Sequence, residues 1–389
     1  MKIPAKYIVR NLLTRRLTMS LTVAGIALVV FVFTAVLMMA NGIRSTLVAT
    51  GAEDNVIVLR KSAQAEISSI IGRDEANVIR TLPGIAHTQE GKPLVSAEVV
   101  VVINLRYNDE SGFGNVTVRG VNPEGIRLRP GVRISEGRMF QWGTREIVVG
   151  SSITRRFKDS QIGSQIKFGG DTWTIVGVMS SDGSGFDSEL WGDNDQLGEA
   201  FNRPVFSTVL LKLERASDFP AFKAAFTNDN RLQYFEVKPE RQFYDEQSEA
   251  MATFVRILGI FVTVIFSAGA MIGAMITMYA AVANRTIEIG TLRALGFRRK
   301  NILTAFLLES LFLSLIGGGV GILLASVLQF YQISMINFSS FAELAFKFSL
   351  SADILVRSLV FSLIMGVIGG FLPAVRASRM NIVNALRSA

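Results

Sequence analysis

The sequence predicts an α-helical membrane protein of four transmembrane helices, with a large α+β extracytoplasmic domain inserted between the first and second. Three observations carry this. Apolar stretches run from Leu17 to Ala40, Met251 to Ala283, Ile302 to Phe330 and Ile354 to Val375, each long enough for a helix to cross a bilayer. The basic residues are placed asymmetrically. Lys2, Lys6, Arg10, Arg15 and Arg16 precede the first stretch, Arg285, Arg293, Arg298, Arg299 and Lys300 lie between the second and third, and Arg376, Arg379 and Arg387 follow the fourth, against the single acid Glu288. The positive-inside rule puts these three segments in the cytoplasm. The third observation is residues 42–250, which alternate strand and helix signals in the manner of an α+β domain.

The expected organisation follows in order: 1–16 a cytoplasmic N-terminal segment, 17–41 the first span, 42–250 the periplasmic domain with its stalks, 251–283 the second span, 284–301 a cytoplasmic loop, 302–330 the third span, 331–353 a short periplasmic loop, 354–375 the fourth span and 376–389 a cytoplasmic tail. The basic N-terminus followed by an apolar run imitates a signal peptide. Its length and the poor cleavage context at Met39-Ala40-Asn41 predict an uncleaved anchor. Residues 241–250 are polar and helix-compatible and run into the second span without Gly or Pro. They predict a helical stalk, where the plainer alternative is a flexible linker.

Within the external segment, strands are expected at Asn55–Arg60, Val95–Ile103, Val116–Val121, Ile147–Val149, Ser207–Leu213 and Tyr234–Val237. Ile166–Phe168 and Thr172–Val178 flank Gly169-Gly170-Asp171 as a hairpin. Helices are expected at Asp74–Leu82, with Asp74 as cap and Pro83-Gly84 as stop, at Ser152–Phe157 and at Phe219–Phe226. The acid-rich run Ser181–Glu189, with Trp191, reads as an exposed contact surface or hairpin tip. It lacks the ligand spacing of a calcium loop.

Several functions are excluded by composition. A net charge of +8 would suggest nucleic acid as partner for a soluble protein. The segment 44–250, however, holds 24 Lys and Arg against 28 Asp and Glu, so the basic excess belongs to topology and anionic headgroups. With no cysteine and the single His87, neither a disulfide framework nor a His-based metal site is expected. No nucleophile with its base and no GxxxxGK[ST] phosphate loop is present, so catalytic, cofactor-binding and metal residues are expected to be none. No span carries the repeated polar lining of a channel.

The spans carry packing marks in Gly269/Gly273, Gly317/Gly321 and Gly366/Gly370, small residues that let helices approach closely. Glu309, two turns into the third span, reads as a polar tether to a neighbouring helix end, with Arg376 or Arg379 as candidate partners. Arg256 and Arg357, near the outer ends of their spans, can snorkel to headgroups. The cytoplasmic loop Arg285–Phe297 is short and helix-forming, closed by Gly296, and carries Ile289, Leu292 and Leu295 as an apolar stripe. A helix this short needs a surface to dock on, either lipid or a soluble partner.

That loop resembles the coupling helix of FtsX-like, MacB-type ABC transporter permeases, the mechanotransmission (type VII) class. Gly370-Phe371-Leu372-Pro373-Ala374-Val375-Arg376-Ala377-Ser378-Arg379 and Ala385-Leu386-Arg387 resemble the family's closing motif. Arg16-Leu17-Thr18 with Leu21–Ile26 is similar to its entry into the first span, and Glu309 with Gly317, Gly318 and Gly321 to its third. The apolar Val29-Val30-Phe31-Val32-Phe33 departs from the family's glycine-richer first span.

The resemblance implies a non-catalytic permease subunit in the bacterial inner membrane with both termini cytoplasmic. It implies a dimer with a second copy or paralogue, and an ABC ATPase partner that holds the ATP and magnesium. Glu288, Gly290, Leu292, Arg293, Ala294, Leu295 and Gly296 then fall on the ATPase-docking helix, and Pro373, Ala374, Arg376 and Arg379 on the C-terminal motif. Some family members fuse the ATPase to the permease; here it is expected as a separate protein. The implied tasks are tripartite efflux with a periplasmic adaptor, lipoprotein release and, third, control of cell-wall hydrolases. The alternative from another class is a membrane-anchored sensor or adhesion protein.

Overall fold

The computed structural model describes residues 16–381. Lys2, Lys6, Arg10, Arg15 and the Ala385-Leu386-Arg387 motif lie outside the described residues. In chain order the elements are α1 (Arg16–Val48), β1 (Asn55–Arg60), α2 (Arg73–Arg80), β2 (Val95–Arg106), β3 (Phe113–Val121), α3 (Pro123–Arg127), β4 (Arg133–Gly137), β5 (Glu146–Gly150), α4 (Ser151–Arg156), β6 (Gln165–Phe168), β7 (Asp171–Ser180) and β8 (Glu189–Asp193). They continue with α5 (Asn194–Ala200), β9 (Thr208–Lys212), α6 (Phe219–Asn228), β10 (Phe235–Pro239), α7 (Glu240–Ala283), α8 (Thr286–Ala294), α9 (Arg299–Ser326), β11 (Gln332–Ile336), β12 (Glu343–Lys347) and α10 (Ala352–Arg379). The chain forms two compact units: one from the residues up to Asn41 with Thr253–Tyr331 and those from Phe348 onward, the other from Gly42–Ala252 with Gln332–Lys347.

The first unit is helical. Among the described residues four helices are long and apolar enough to cross a membrane, α1, α7, α9 and α10. Small residues set their spacing. A Cβ on Gly317 would meet Ile26, and one on Gly321 would meet Ala27 and Val30, so α9 lies backbone-close to α1. Cβ atoms on Gly366 and Gly370 would run into Ser314 and Ser310, which closes α10 onto α9. Hydroxyls add polar links: Thr22 to Thr277 at 2.8 Å joins α1 to α7, and Thr34 donates to Ser358 at 2.9 Å, joining α1 to α10. Val30 and Phe31 of the bulky Val29–Phe33 run meet Gly321, while Gly317 is received by Val23 and Ile26. Gly269 and Gly273 behave differently, with nothing within 4 Å of either added Cβ.

The second unit is built on a ten-stranded sheet of order β10-β1-β9-β2-β3-β8-β5-β7-β4, with β6 pairing β7. The β-branched run that begins β2 continues to Arg106, past its expected end at Ile103. Its first four residues pair with β9 and the remainder with β3, so β2 spans two cores. One core gathers Val56, Ile79, Val209, Phe222 and Val237; the other gathers Val116, Ile147, Phe157, Trp173 and Leu190. The helix expected from Asp74 starts at Arg73, with Gly72 as N-cap and no side-chain cap bond.

Two expectations are corrected here. The 181–189 run with Trp191 is not an exposed tip: Gly185–Ser188 is a buried 3₁₀ turn and Trp191 is fully buried on β8. The Asp187 carboxylate accepts from the Ser181 and Gly183 N–H groups at 2.7 and 2.8 Å, so the acid closes the loop on itself. Second, the loop expected over 331–353 contains an antiparallel hairpin, β11–β12, which belongs to the second unit. Glu343 accepts from the Tyr107 hydroxyl and pairs with Arg156. The Asn115 amide donates to the Phe341 carbonyl at 2.8 Å, and the Ala345 N–H donates to Ser188 Oγ at 3.1 Å. Burial and the Glu343 carboxylate push the Tyr107 phenol up to about 12.

A buried ionic network lies at the middle of this unit. Arg119 donates to Glu66 at 2.7 and 2.8 Å, to Glu98 at 3.0 Å and to Glu189 at 2.8 and 2.9 Å. Glu98 also takes Arg129 at 2.6 and 2.8 Å. Burial would raise the Glu98 carboxyl, but the charges of Arg129 and Arg119 outweigh it and hold the group below its ordinary value. Glu240, at the start of α7, binds the Ala52 N–H and the Asn55 amide through one oxygen only. Burial pushes its carboxyl above the ordinary value, against the pull of Arg129.

Candidate coupling site

The site is built where the turn after α7 leads into α8. Arg285 N–H bonds back to the Val282 carbonyl at 3.1 Å, ending α7 and releasing the chain for a new helix. That helix, α8, has nine residues. Its exit is fixed by Gly296 at φ +93°, where Phe297 N–H reaches the Leu292 carbonyl and Gly296 N–H the Arg293 carbonyl, both at 3.1 Å. This is the paired closure that a left-handed glycine permits.

One face of α8 anchors it. Ile289, only 2 % exposed, joins a cluster with Met278 and Val282 of α7, Ile302 and Phe306 of α9, and Ala374 and Ala377 of α10. Gly290 is buried beside it, and Leu292 and Arg293 are half-buried. The opposite face is open: Ile287 is 49 % exposed and Leu295 68 % exposed, with Glu288, Thr291 and Ala294 also on the surface. The stripe Ile289–Leu292–Leu295 is therefore not one surface. Steps of three residues drift around a 3.6-residue helix, so Ile289 points inward while Leu295 points out. The exposed apolar pair is Ile287 and Leu295, and Ile287 had no place in the sequence-predicted stripe.

The polar tether meets the same place. Arg285 donates to Glu309 at 2.9 Å and pairs with Glu288 at 3.1 Å, while its guanidinium lies 5.0 Å from the Phe306 ring centre. The partner found for Glu309 is thus the residue that opens the turn before α8, in place of the expected Arg376 or Arg379. Arg376 stacks on Tyr279 at 5.4 Å, and Arg379 is exposed at the end of α10. Pro373 and Ala374 are buried, and α10 continues through Pro373. The loop helix, Glu309 and the C-terminal motif are consequently one assembly, although they are up to about a hundred residues apart in sequence.

Comparison with known proteins gives the family. The profile of the MacB-like periplasmic core domain matches residues 19–229, and that of the FtsX-like permease C-terminal region matches residues 260–382. The chain belongs to the MacB/FtsX-like family of ABC transporter permeases. This permease is 29 % identical over 326 residues to the uncharacterized ABC transporter permease YknZ of Bacillus subtilis, covering 80 % of this chain and 78 % of that one. It is 28 % identical over 340 residues to the macrolide export ATP-binding/permease protein MacB of Hahella chejuensis, covering 81 % of this chain and 50 % of that protein. The permease thus spans about half the length of its MacB relatives. The crystal structure of the YknZ extracellular domain from Gram-positive bacteria aligns with 47 % of this chain and 99 % of that one, at 18 % identity and a TM-score of 0.37. Membership of the family implies an ABC ATPase as partner.

Proposed function

We propose that this chain is the permease subunit of a bacterial inner-membrane ABC export or mechanotransmission system. In this reading α8 docks on a separate ATPase subunit, both termini are cytoplasmic, and ATP hydrolysis on the partner drives conformational change in the sheet-containing unit. Tripartite efflux with a periplasmic adaptor, or lipoprotein release, is the task that fits the size of that unit, and the chain contributes no catalysis of its own. The observation that carries the reading is α8 itself. It is clamped to three other helices through Ile289 while it presents Ile287 and Leu295 to the outside. A short helix held rigidly with an apolar face left open is suited to receive a partner groove, where exposed apolar anchors supply the binding energy.

A dimer is part of the proposal. Gly269 and Gly273 leave a smooth strip on α7 that no part of this chain fills among the described residues, as a helix seam with a second copy would require.

The deciding experiment is co-purification of the cognate ATPase with Leu295→Asp and Ile287→Asp. Both variants should insert and remain folded, since neither side chain is buried, yet lose the ATPase, because docking would bury an unpaired charge. A doubly substituted protein that still holds a functional ATPase would remove the reading. Sidedness is tested by labelling Lys223→Cys, an exposed position in a chain without cysteine; labelling only from the cytoplasmic side would reverse the topology.

A further inference from the structure

The sheet-containing unit carries a groove of about 480 Å³ that the coupling reading does not use. One wall is α2, where Arg73, Asn77 and Arg80 recur at the i, i+4, i+7 spacing of one helix face. All three are exposed, and neither arginine takes part in an ion pair among the described residues. The other side is formed by Trp142, Asp193 and Asp195.

This second side is held firmly. Asp193 accepts from Gly143 N–H at 2.6 Å and from Asp195 N–H at 2.9 Å, which pins the Trp142 loop beside α5. Asn194 accepts from Val99 N–H at 2.9 Å. Trp142 meets Phe140 edge-on at 4.9 Å and still keeps 44 % of its surface exposed. The Asp195 side chain is exposed, and its carboxylate takes part in no ion pair among the described residues.

We propose that this groove binds an extended peptide segment carrying charges of both signs. The argument is by exclusion and by fit. A purely anionic ligand would meet Asp193 and Asp195, and a purely cationic one would meet Arg73 and Arg80. A lipid chain would lie against Arg73, Asn77 and Arg80 on one side and Asp195 on the other, leaving these groups unpaired. A peptide satisfies every group: carboxylates on the guanidiniums, which favour bidentate pairing, a lysine or arginine on Asp195 with its stem across the Trp142 face, and backbone amides on Asn77. The volume falls within the range of ligand sites. The inference is independent of what docks on α8.

Tryptophan emission reads the site directly, because Trp173 and Trp191 are fully buried and Trp142 alone is exposed. The full chain in lipid nanodiscs is titrated with a synthetic hexapeptide of alternating Lys and Glu. The expected result is a saturable change in emission, absent in Trp142→Phe. Arg73→Ala/Arg80→Ala should weaken binding roughly tenfold or more, as loss of charged hydrogen bonds does, and Asp195→Asn should weaken it as well. Anisotropy of a labelled hexapeptide follows binding in Trp142→Phe itself, and the unchanged emission of the two buried tryptophans verifies its fold. An emission change that survives in Trp142→Phe, or binding indifferent to the arginine substitutions, overturns the proposal. So does an equal response to a blocked Gly-Ser hexapeptide, or to free arginine with acetate.

Discussion

The Arg285 guanidinium lies 2.9 Å from the Glu309 carboxylate and joins the turn before α8 to the third span. Arg285 also keeps Glu288 at 3.1 Å, so removing Glu309's charge does not strand it. Glu309→Gln should therefore cost about 1 kcal/mol of bundle stability, the scale of polar links within membranes. Glu309→Lys, which sets two cations together, should cost visibly more. Thermal unfolding in nanodiscs measures both; equal melting of the two variants would mean that the pair contributes nothing.

Ile289 within α8 and Leu295 at its C-cap have opposite exposures, and their aspartate variants should separate. Ile289→Asp puts an unpaired carboxylate among Met278, Phe306 and Ala374 and should destabilise the bundle by several kcal/mol. Leu295→Asp should leave the melting temperature nearly unchanged. Matching stabilities would contradict the inward orientation of Ile289.

The glycine contacts predict a second contrast. Gly370→Val would force its side chain against Ser310 and should cost roughly 1–3 kcal/mol as overpacking does. A Cβ added at Gly269 or Gly273 meets nothing within 4 Å among the described residues, so Gly269→Leu and Gly273→Leu should spare stability and weaken self-association. Crosslinking or mass photometry in nanodiscs tests the seam, and dimers that persist in the double variant would place it elsewhere.

Glu98 and Glu240 should shift stability with pH in opposite senses. Glu98 is held below its ordinary pKa by Arg129 and Arg119. It contributes stability above the ordinary carboxylate range that is lost as pH falls through its lowered folded value. Glu240 is raised by burial, so the folded state binds its proton more tightly, and that contribution fades as pH rises from the ordinary range through the raised value. Glu240→Gln should flatten the decline at higher pH, while Glu98→Gln should remove the acid-side loss at the expense of overall stability. Melting curves from about pH 2 to 8 would show it, and parallel profiles for the two variants would refute the assignment.

Much of this was legible in the sequence, for identifiable reasons. The spans follow from apolar length, and the loop helix from its residue types and Gly296. β-branched runs marked β2 and β3 because both lie inside the sheet, flanked by strands on either side. The facing of α8 was not legible, since an i, i+3 stripe over six residues turns away from any single surface. Trp191 was misplaced because its Ser, Gly and Asp neighbours look solvated, whereas their polar groups are spent on one another. The β11–β12 hairpin had a readable signal in the alternation of Gln332–Ile336 and Glu343–Lys347 around Asn337–Ser340. Arg119 with Glu66, Glu98 and Glu189 leaves no local trace, because only the completed sheet brings them together.

The hairpin also sets the order in which the protein can be made. Glu343 meets Tyr107 and Arg156 across separations of 236 and 187 residues. At ordinary synthesis rates the ribosome needs on the order of ten seconds to pass from Ala252 to Lys347. Throughout that interval the nascent sheet has Tyr107, Arg156 and Ser188 waiting for partners not yet translated. Its maturation is therefore tied to insertion of the third span, and a fragment ended at Ala252 would resemble the nascent intermediate more closely than the finished domain.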